Sequence, residues 1–230
     1  MSGLDTIIDP EINQYTQSYY VIQEYLRRVP VKTIIEIGAS SGGGTTEALI
    51  KGLLIKNDSD IRMASIEVSR ARFKNLKERY LNIPFFKPYN ISSLPLSRFP
   101  SQEAVSSFIS RTGIHGRNVF EVLKWLEQDI NYVKDNGYDL NGIQKIKEDF
   151  GVETFDLACI DGSEFLGDEE YNELPNCNAY FLDDINVYKN WNSHRQLESD
   201  FRYVKLFQED IRGGSSLFCK REIAETYFKN

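Results

Sequence analysis

In the first ninety positions, apolar residues at helical spacing alternate with short continuous apolar runs. Six apolar residues, before residue 30, repeat at spacings of three and four: Ile12, Tyr15, Tyr19, Ile22, Leu26 and Val29. This spacing predicts an amphipathic helix with Asp9 as its N-cap and Pro10 as its first residue, ended by Pro30. Short apolar runs at 32–37, 61–68 and 84–90 predict strands, and the segments between them predict helices. The alternation predicts parallel strands joined by helical crossovers.

Helical spacing then persists from about residue 92 to residue 152, where a minimal α/β sheet has a single crossover. We interpret 92–152 as a helical insertion or cap within one domain that spans residues 1–230. Apolar runs follow in "TFDLACID" and "AYFLDD", and "FRYVKLF" and "SSLFCKR" flank a predicted closing hairpin. The pattern therefore predicts an α/β fold with a seven-stranded, mostly parallel sheet that ends in an antiparallel hairpin.

Composition excludes several classes of function. The net charge of −7 and the pI near 5.0 argue against an extended nucleic-acid surface, although a local basic face stays open. No apolar run approaches the roughly 18 residues of a membrane helix, and the first residues lack the pattern of a signal peptide. The three widely spaced cysteines (Cys159, Cys177 and Cys219) predict reduced thiols. We therefore expect a cytoplasmic protein with neither nucleic acid nor membrane as its partner.

The segment "EIGASSGGG", residues 36–44, joins the first predicted strand to a helix through glycines. A strand, a glycine turn and a helix N-terminus form a cradle for nucleotide-like ligands, because glycine permits close approach and positive φ. The glycines from Gly38 onward do not have the G-x-G-x-x-G spacing of dinucleotide sites. Glu36 stands beside the turn, where an acid suits the ammonium and sulfonium of S-adenosylmethionine better than a phosphate.

This segment resembles the first motif, acid-x-Gly-x-x-x-Gly, of class I S-adenosylmethionine-dependent methyltransferases. Further matches follow in order: Glu67 ends the second strand, Asn90 follows the third, and Asp161 ends the fourth. The closing hairpin matches as well, so the resemblance covers most of 30–220 except 92–152. It implies a Rossmann-like fold. The alternative is that the glycine turn closes without a ligand, with Glu36 solvated and Glu67 capping the next helix.

The resemblance also implies which residues bind S-adenosylmethionine. Four of them would shape the methionine end of the cofactor: Glu36, Gly38, Ser40 and Gly42. Glu67 would bind both ribose hydroxyls, Asn90 would contact adenine, and Asp161 would contact the cofactor from the fourth strand.

The segments "IDGSEF" and "FLDDIN" are similar to those of metal-dependent O-methyltransferases of the catechol and macrocin type. That branch implies a divalent cation, Mg²⁺ or Ca²⁺, held by Asp161, Asp183 and Asp184, which lowers the pKa of the acceptor hydroxyl. The alternative is that Asp183 and Asp184 cap the helix after the fifth strand.

The residue that accepts the proton is left open by the sequence. Related proteins often have histidine or lysine three residues after the strand-four acid, whereas this chain has Glu164. Glu164, His194 and Asp161 are therefore the catalytic candidates, and His115 lies in a loop of the insertion.

The expected function is O-methylation of a small-molecule or glycan hydroxyl. A metal-independent N- or O-methyltransferase and a catalytically inactive protein with the same fold are the alternatives. A homo-oligomer is a further expectation, because the N-terminal helix carries tyrosines that can pack on the sheet or on a second subunit.

Overall fold

The computed structural model describes residues 3–56, 58–113 and 118–228. Within these ranges, seven strands form one sheet in the order β3-β2-β1-β4-β5-β7-β6. The strands are β1 Thr33–Ile37, β2 Arg62–Ile66, β3 Phe86–Tyr89, β4 Leu157–Ile160, β5 Ala179–Asp183, β6 Tyr203–Glu209 and β7 Ser215–Lys220. The first five run parallel, and β7 pairs antiparallel with both β5 and β6. This arrangement confirms the predicted sheet and its closing hairpin.

Helices cover both faces of this sheet. They are α1 Gln17–Arg28, α2 Thr45–Leu54, α3 Arg70–Arg79, α4 Gln102–Thr112, α5 Val119–Asp135, α6 Gly142–Phe150, α7 Gly167–Glu173, α8 Trp191–Ser199 and α9 Arg221–Tyr227. The pattern did not predict α7 or α9, because both are short and α7 ("GDEEYNE") has no apolar period. None of the described helices has the length and apolar content that a membrane crossing requires.

Alternation along β1 distributes its side chains between the two faces. Ile34 belongs to the apolar cluster that includes α1 and α2, whereas Ile35 and Ile37 belong to the cluster that includes α6. Side chains two apart in a strand share a face, so Glu36 projects toward α2 together with Ile34. This explains how an acid occurs at a fully buried position of a central strand.

The predicted N-terminal helix begins later than its apolar spacing indicates. Residues 10–16 form bends and turns, in which the Asn13 N–H donates to Thr16 Oγ1 over 3.1 Å and the Thr16 N–H donates to the Asn13 carbonyl. Ile12 is buried, whereas Tyr15 is 87% exposed. The prediction was wrong here because side-chain hydrogen bonds compete with the helix.

The segment predicted as an insertion, 92–152, contains two kinds of packing. Helix α6 contributes Ile143 and Ile146 to the apolar cluster on one face of the sheet. Helices α4 and α5 form a separate cluster with Phe165, which lies in the loop after β4. Of these two helices, α5 contributes Asp129 and Val133 near the carboxyl ends of the strands. His115, which the sequence placed in this region, lies outside the described residues.

Candidate functional site

A cavity of about 280 Å³ lies at the carboxyl ends of β1, β2, β4 and β5. Its walls are completed by residues 8–12, by residues 91–93 after β3, and by Asp129 and Val133 of α5. The strand order reverses between β1 and β4, and open α/β sheets bind ligands in the crevice at this switch point. The cavity therefore lies where the fold favours a ligand.

The glycine turn after β1 forms one wall of the cavity. Gly38 has φ +90°, and a Cβ there would lie 1.9 Å from the backbone oxygen of Asp161. Its N–H donates to the Ile66 carbonyl over 3.0 Å. Close packing between the ends of β1 and β4 thus requires glycine, and this requirement is independent of any cofactor. Gly38 and Ser40 both line the cavity.

Gly42, also predicted to bind the cofactor, faces α3. It has φ +79°, and a Cβ would lie 2.7 Å from Tyr80 Cε2. The Tyr80 hydroxyl donates to the Gly42 carbonyl over 2.5 Å. Gly42 is not among the lining residues, so its position supports a role in packing the turn against α3.

Glu36 lies behind the glycine turn, outside the lining residues. Its carboxyl group accepts hydrogen bonds from the hydroxyls of Thr46 on α2 and Ser65 on β2. Burial is the largest influence and raises its pKa to about 7, while the hydroxyl donors lower it. The structure thus ties this acid to α2 and β2, and its position gives no support to the predicted contact with the methionine end.

Glu67 is nearly buried and lines the cavity at the end of β2. Its two oxygens accept one backbone N–H each, from Ser40 and Ser69, both over 2.7 Å. Burial raises its pKa, and the backbone donors oppose the shift. A carboxylate oxygen accepts more than one hydrogen bond, so this orientation leaves capacity for hydroxyls of a ligand.

Asn90 connects loops behind the cavity wall. Its amide nitrogen donates to the carbonyls of Glu67 (2.7 Å) and Val68 (3.0 Å), and its oxygen accepts the Tyr138 hydroxyl over 2.6 Å. The lining residues after β3 are Ile91, Ser92 and Ser93. The position of Asn90 therefore supports a bracing role and gives no support to the predicted adenine contact.

The ends of β4 and β5 bring together the three predicted metal ligands. One oxygen each of Asp161, Asp183 and Asp184 lies within 4.8 Å of the others. The side chain of Lys189, only 3% exposed, reaches into this group. Its Nζ lies 3.0 Å from Asp161 Oδ1 and 2.6 Å from Asp184 Oδ2. Burial raises the pKa of Asp161, and the ammonium opposes that shift.

Lys189 is a site residue that sequence reasoning missed. It stands in "INVYKNW" between β5 and α8, where a lysine carries no motif. Asn190 beside it donates to the carbonyls of Ile160 (3.2 Å) and Asp183 (2.5 Å). This anchoring to both strand ends turns the lysine back into the cavity, a long-range effect that has no local sequence signal.

Three further acids line the cavity, and burial raises the pKa of each. These residues are Glu164, Asp129 and Glu170. The pKa of Asp129 is raised to about 6 and that of Glu170 to about 7. The Ser163 hydroxyl donates to Asp129 over 2.6 Å, and the Ser93 hydroxyl donates to Glu170 over 2.5 Å. In the described wall, acidic side chains outnumber the cationic ones, Lys189 and Arg72. The cavity therefore favours a positively charged ligand.

The structure places His194 away from this cavity. Its Nδ1 lies 3.0 Å from Ser216 Oγ, its Nε2 lies 3.5 Å from Glu198, and its ring meets Phe218 edge to face. Burial lowers its pKa. His194 is not among the lining residues, so its position does not support the predicted role as the base.

Asp168 caps α8, the helix after β5. It accepts the backbone N–H groups of Asn192 (3.1 Å) and Ser193 (2.7 Å). This removes the alternative in which Asp183 and Asp184 cap that helix.

No protein-family model matches the chain, and no curated protein matches it significantly. Among solved structures, the O-methyltransferase from Bacillus cereus in complex with SAH aligns with 94% of this chain and 84% of its own, at 14% identity and a TM-score of 0.54. A methyltransferase from Geobacter sulfurreducens aligns with 93% of this chain and 80% of its own, at 10% identity and a TM-score of 0.51. The chain has the class I methyltransferase fold.

Proposed function

We propose that this protein is an S-adenosylmethionine-dependent methyltransferase that acts on an oxygen of a small molecule or glycan. The observation that carries the proposal is the acid-walled cavity at the switch point of a methyltransferase fold. S-adenosylmethionine carries a sulfonium and an ammonium, and both gain from nearby carboxylates. The same wall would repel a phosphate-bearing dinucleotide.

Glu67 and the glycine turn are the residues we assign to the cofactor. The Ser40 and Ser69 N–H groups fix the Glu67 carboxylate at the cavity wall, in a position suited to two ribose hydroxyls. The backbone at Gly38 and Ser40 would lie along the methionine end. The Bacillus cereus protein, which has the same fold, was solved with SAH.

Glu164 is the lining residue we assign as base, with Asp161 as its neighbour. In the reaction, the acceptor oxygen forms a bond to the methyl carbon while the carbon–sulfur bond breaks and its electron pair stays on sulfur. The hydroxyl proton passes to the Glu164 carboxylate. Burial raises the pKa of that carboxyl group, which makes it a better proton acceptor. Holding both reactants in one cavity supplies much of the acceleration.

The divalent ion expected from the resemblance stays a prediction. Three carboxylates within 4.8 Å are a donor set that suits Mg²⁺ or Ca²⁺. The Lys189 ammonium already pairs with two of these carboxylates, so the residues as they stand do not fit an additional cation.

The predicted cytoplasmic location and homo-oligomer belong to this proposal as well. All three cysteines are buried and form no disulfide, as expected in a reducing compartment. Tyr15 and Tyr20, near the start of α1, expose large rings that a second subunit would cover.

Calorimetric titration with S-adenosylmethionine tests the function. Glu67→Gln replaces one ribose acceptor by a donor and should weaken binding at least about tenfold, since a hydrogen bond to a charged group contributes about 1.5–3 kcal/mol. Glu24→Gln is the matched control, because Glu24 pairs with Arg27 and Arg28 on α1, away from the cavity. Equal affinity in wild type and Glu67→Gln would contradict the assignment, and no binding by wild type would contradict the function.

A further inference from the structure

The geometry points to Lys189 as the cation of this site: its ammonium takes the place that a divalent metal ion holds in metal-dependent O-methyltransferases. The chain would then bind no divalent ion among Asp161, Asp183 and Asp184. For its meaning in catalysis, the inference rests on the proposed function, because the acceptor oxygen would then meet an ammonium and not a metal.

The distances place the ammonium where a metal ion would have to bind. Nζ is 2.6 Å from Asp184 Oδ2 and 3.0 Å from Asp161 Oδ1. A magnesium or calcium ion coordinates oxygen at about 2.0–2.6 Å. An ion shared by the same two oxygens would therefore lie beside Nζ, and two cations at that distance repel strongly. The ammonium and the ion exclude each other.

The fold keeps the lysine in this place. Asn190 ties the adjacent backbone to the last residues of β4 and β5 through two hydrogen bonds. The start of α7 closes the other side, since a Cβ at Gly167 would lie 2.5 Å from the Lys189 carbonyl oxygen. Only 3% of the Lys189 side chain is exposed, and its ammonium is paired with Asp161 and Asp184, so leaving this place would leave partly buried carboxylates without their partner.

The charges of the site favour a cation, and the lysine supplies one. The groups that face the ammonium include Glu164 as well as the three aspartates. Carboxylates gathered at neighbouring strand ends repel one another, and a shared proton or a cation between them relieves the repulsion. Lys189 also lines the cavity, so its charge reaches the place where a hydroxyl would bind. A nearby ammonium favours the ionised form of a hydroxyl, and a metal ion has the same effect on the hydroxyl pKa.

Thermal melts with and without divalent ions test the inference, without S-adenosylmethionine or an acceptor. The melting temperature of wild type should be the same with and without about 10 mM Mg²⁺ or Ca²⁺. Lys189→Met removes the charge and keeps an unbranched chain, so this variant should melt lower and regain about 3–8 °C when either ion is added. Lys147→Met is the matched control: Lys147 is a second buried lysine, whose Nζ donates to the Glu173 carbonyl over 2.8 Å. It should lose stability without gaining a response to ions.

Equilibrium dialysis with Mn²⁺ keeps the inference testable if Lys189→Met does not fold. Wild type should retain no stoichiometric Mn²⁺. One Mn²⁺ per chain, lost in Asp184→Asn, would overturn the inference, and so would a folded Lys189→Met that gains nothing from Mg²⁺ or Ca²⁺. The outcome is independent of the proposed function, because calorimetry with S-adenosylmethionine is a separate measurement on the same wild-type protein.

Discussion

The carboxyl edge of the sheet has two halves that hold their acidic side chains in different ways. Glu36 near the end of β1 accepts hydrogen bonds from side-chain hydroxyls, and Glu67 after β2 accepts them from backbone N–H groups. After β4 and β5, Asp161 and Asp184 share the ammonium of Lys189. Neutral donors orient a carboxyl group without adding charge, whereas the ammonium brings a fixed positive charge with it.

Under the proposed function, the difference is consistent with separate tasks for the two halves. The first half offers oriented acceptors whose carboxyl groups make no ion pair at contact distance, although Arg72 also lines the cavity near Glu67. Such acceptors suit a positively charged cofactor. The second half already contains its cation, which suits an acceptor whose oxygen becomes more negative during the reaction.

The largest effect is expected at the contact between the halves. Gly38→Val places a Cβ at about the position that lies 1.9 Å from the Asp161 carbonyl oxygen, and the backbone there has φ +90°. We expect a loss of at least about 4 kcal/mol of unfolding free energy, enough to prevent folding of many proteins. The measurement is a denaturant melt followed by circular dichroism.

Gly113→Ala is the control for Gly38→Val. Gly113 also has positive φ (+66°), but a Cβ there meets no atom of the described residues within 4 Å. It should cost only about 1 kcal/mol, the typical price of the left-handed conformation. If Gly38→Val stays folded and merely loses S-adenosylmethionine, the cofactor and not the strand contact is what requires glycine.

The pH dependence of stability should separate Glu36 from the charged half. Burial raises its pKa to about 7, above the ordinary value of 4.5. Between these values the folded state binds a proton that the unfolded state does not, so stability is highest below pH 4.5 and falls as pH rises toward 7. Glu36 alone should account for a loss of about 2–3 kcal/mol between roughly pH 5 and pH 8.

Glu36→Gln should remove that part of the pH dependence, measured by denaturant melts at the two pH values. Glu24→Gln should retain it, because its ion pairs with Arg27 and Arg28 lower the Glu24 pKa to about 2, below this range. Identical pH slopes in wild type and Glu36→Gln would show that Glu36 is ionised in the folded protein.

The parts of the molecule that were predictable from sequence have local causes. Apolar runs of four to seven residues produce β1 to β7, and the rule that parallel strands end at one edge brings Asp161, Asp183 and Asp184 together. Glycine after β1 identified the turn correctly. The turn also requires glycine for a reason that the local sequence does not show, because contact with the Asp161 backbone depends on how closely two strands that are distant in sequence approach.

The features of the site that the sequence did not predict depend on contacts between segments that are distant in the chain. Lys189 enters the cavity because Asn190 binds two strand ends. Asp129 reaches the cavity because α5 crosses over the strand ends. The orientation of Glu36 toward α2 follows from alternation with Ile34, which the sequence contains, but the donors it meets, Thr46 and Ser65, are set by the packing of α2 and β2.

A smaller effect is expected at Asn90, which braces the cofactor half from behind. Asn90→Ala removes the donor to the Glu67 and Val68 carbonyls and should cost about 1–3 kcal/mol of stability. Tyr138→Phe removes only the hydroxyl that donates to Asn90 and should cost about 1 kcal/mol. Thermal melts and calorimetry with S-adenosylmethionine compare the two variants. An Asn90→Ala protein of unchanged stability that no longer binds the cofactor would favour the adenine contact predicted from the resemblance.

The smallest effect on catalysis is expected at His194, which lies close in sequence to the acceptor half but outside its cavity. Burial lowers its pKa, so the ring is neutral near pH 7, and Ser216 and Glu198 occupy its two nitrogens. His194→Gln should change the rate of methyl transfer less than about twofold.

Glu164→Gln removes a carboxylate that lines the cavity and should lower the rate about 10²–10⁴-fold if that group accepts the proton. The rate is measured as SAH release with a hydroxyl acceptor that wild type methylates. A comparable loss of rate in both variants would show that His194 takes part in the reaction. A loss in His194→Gln alone would show that the imidazole ring, and not Glu164, accepts the proton.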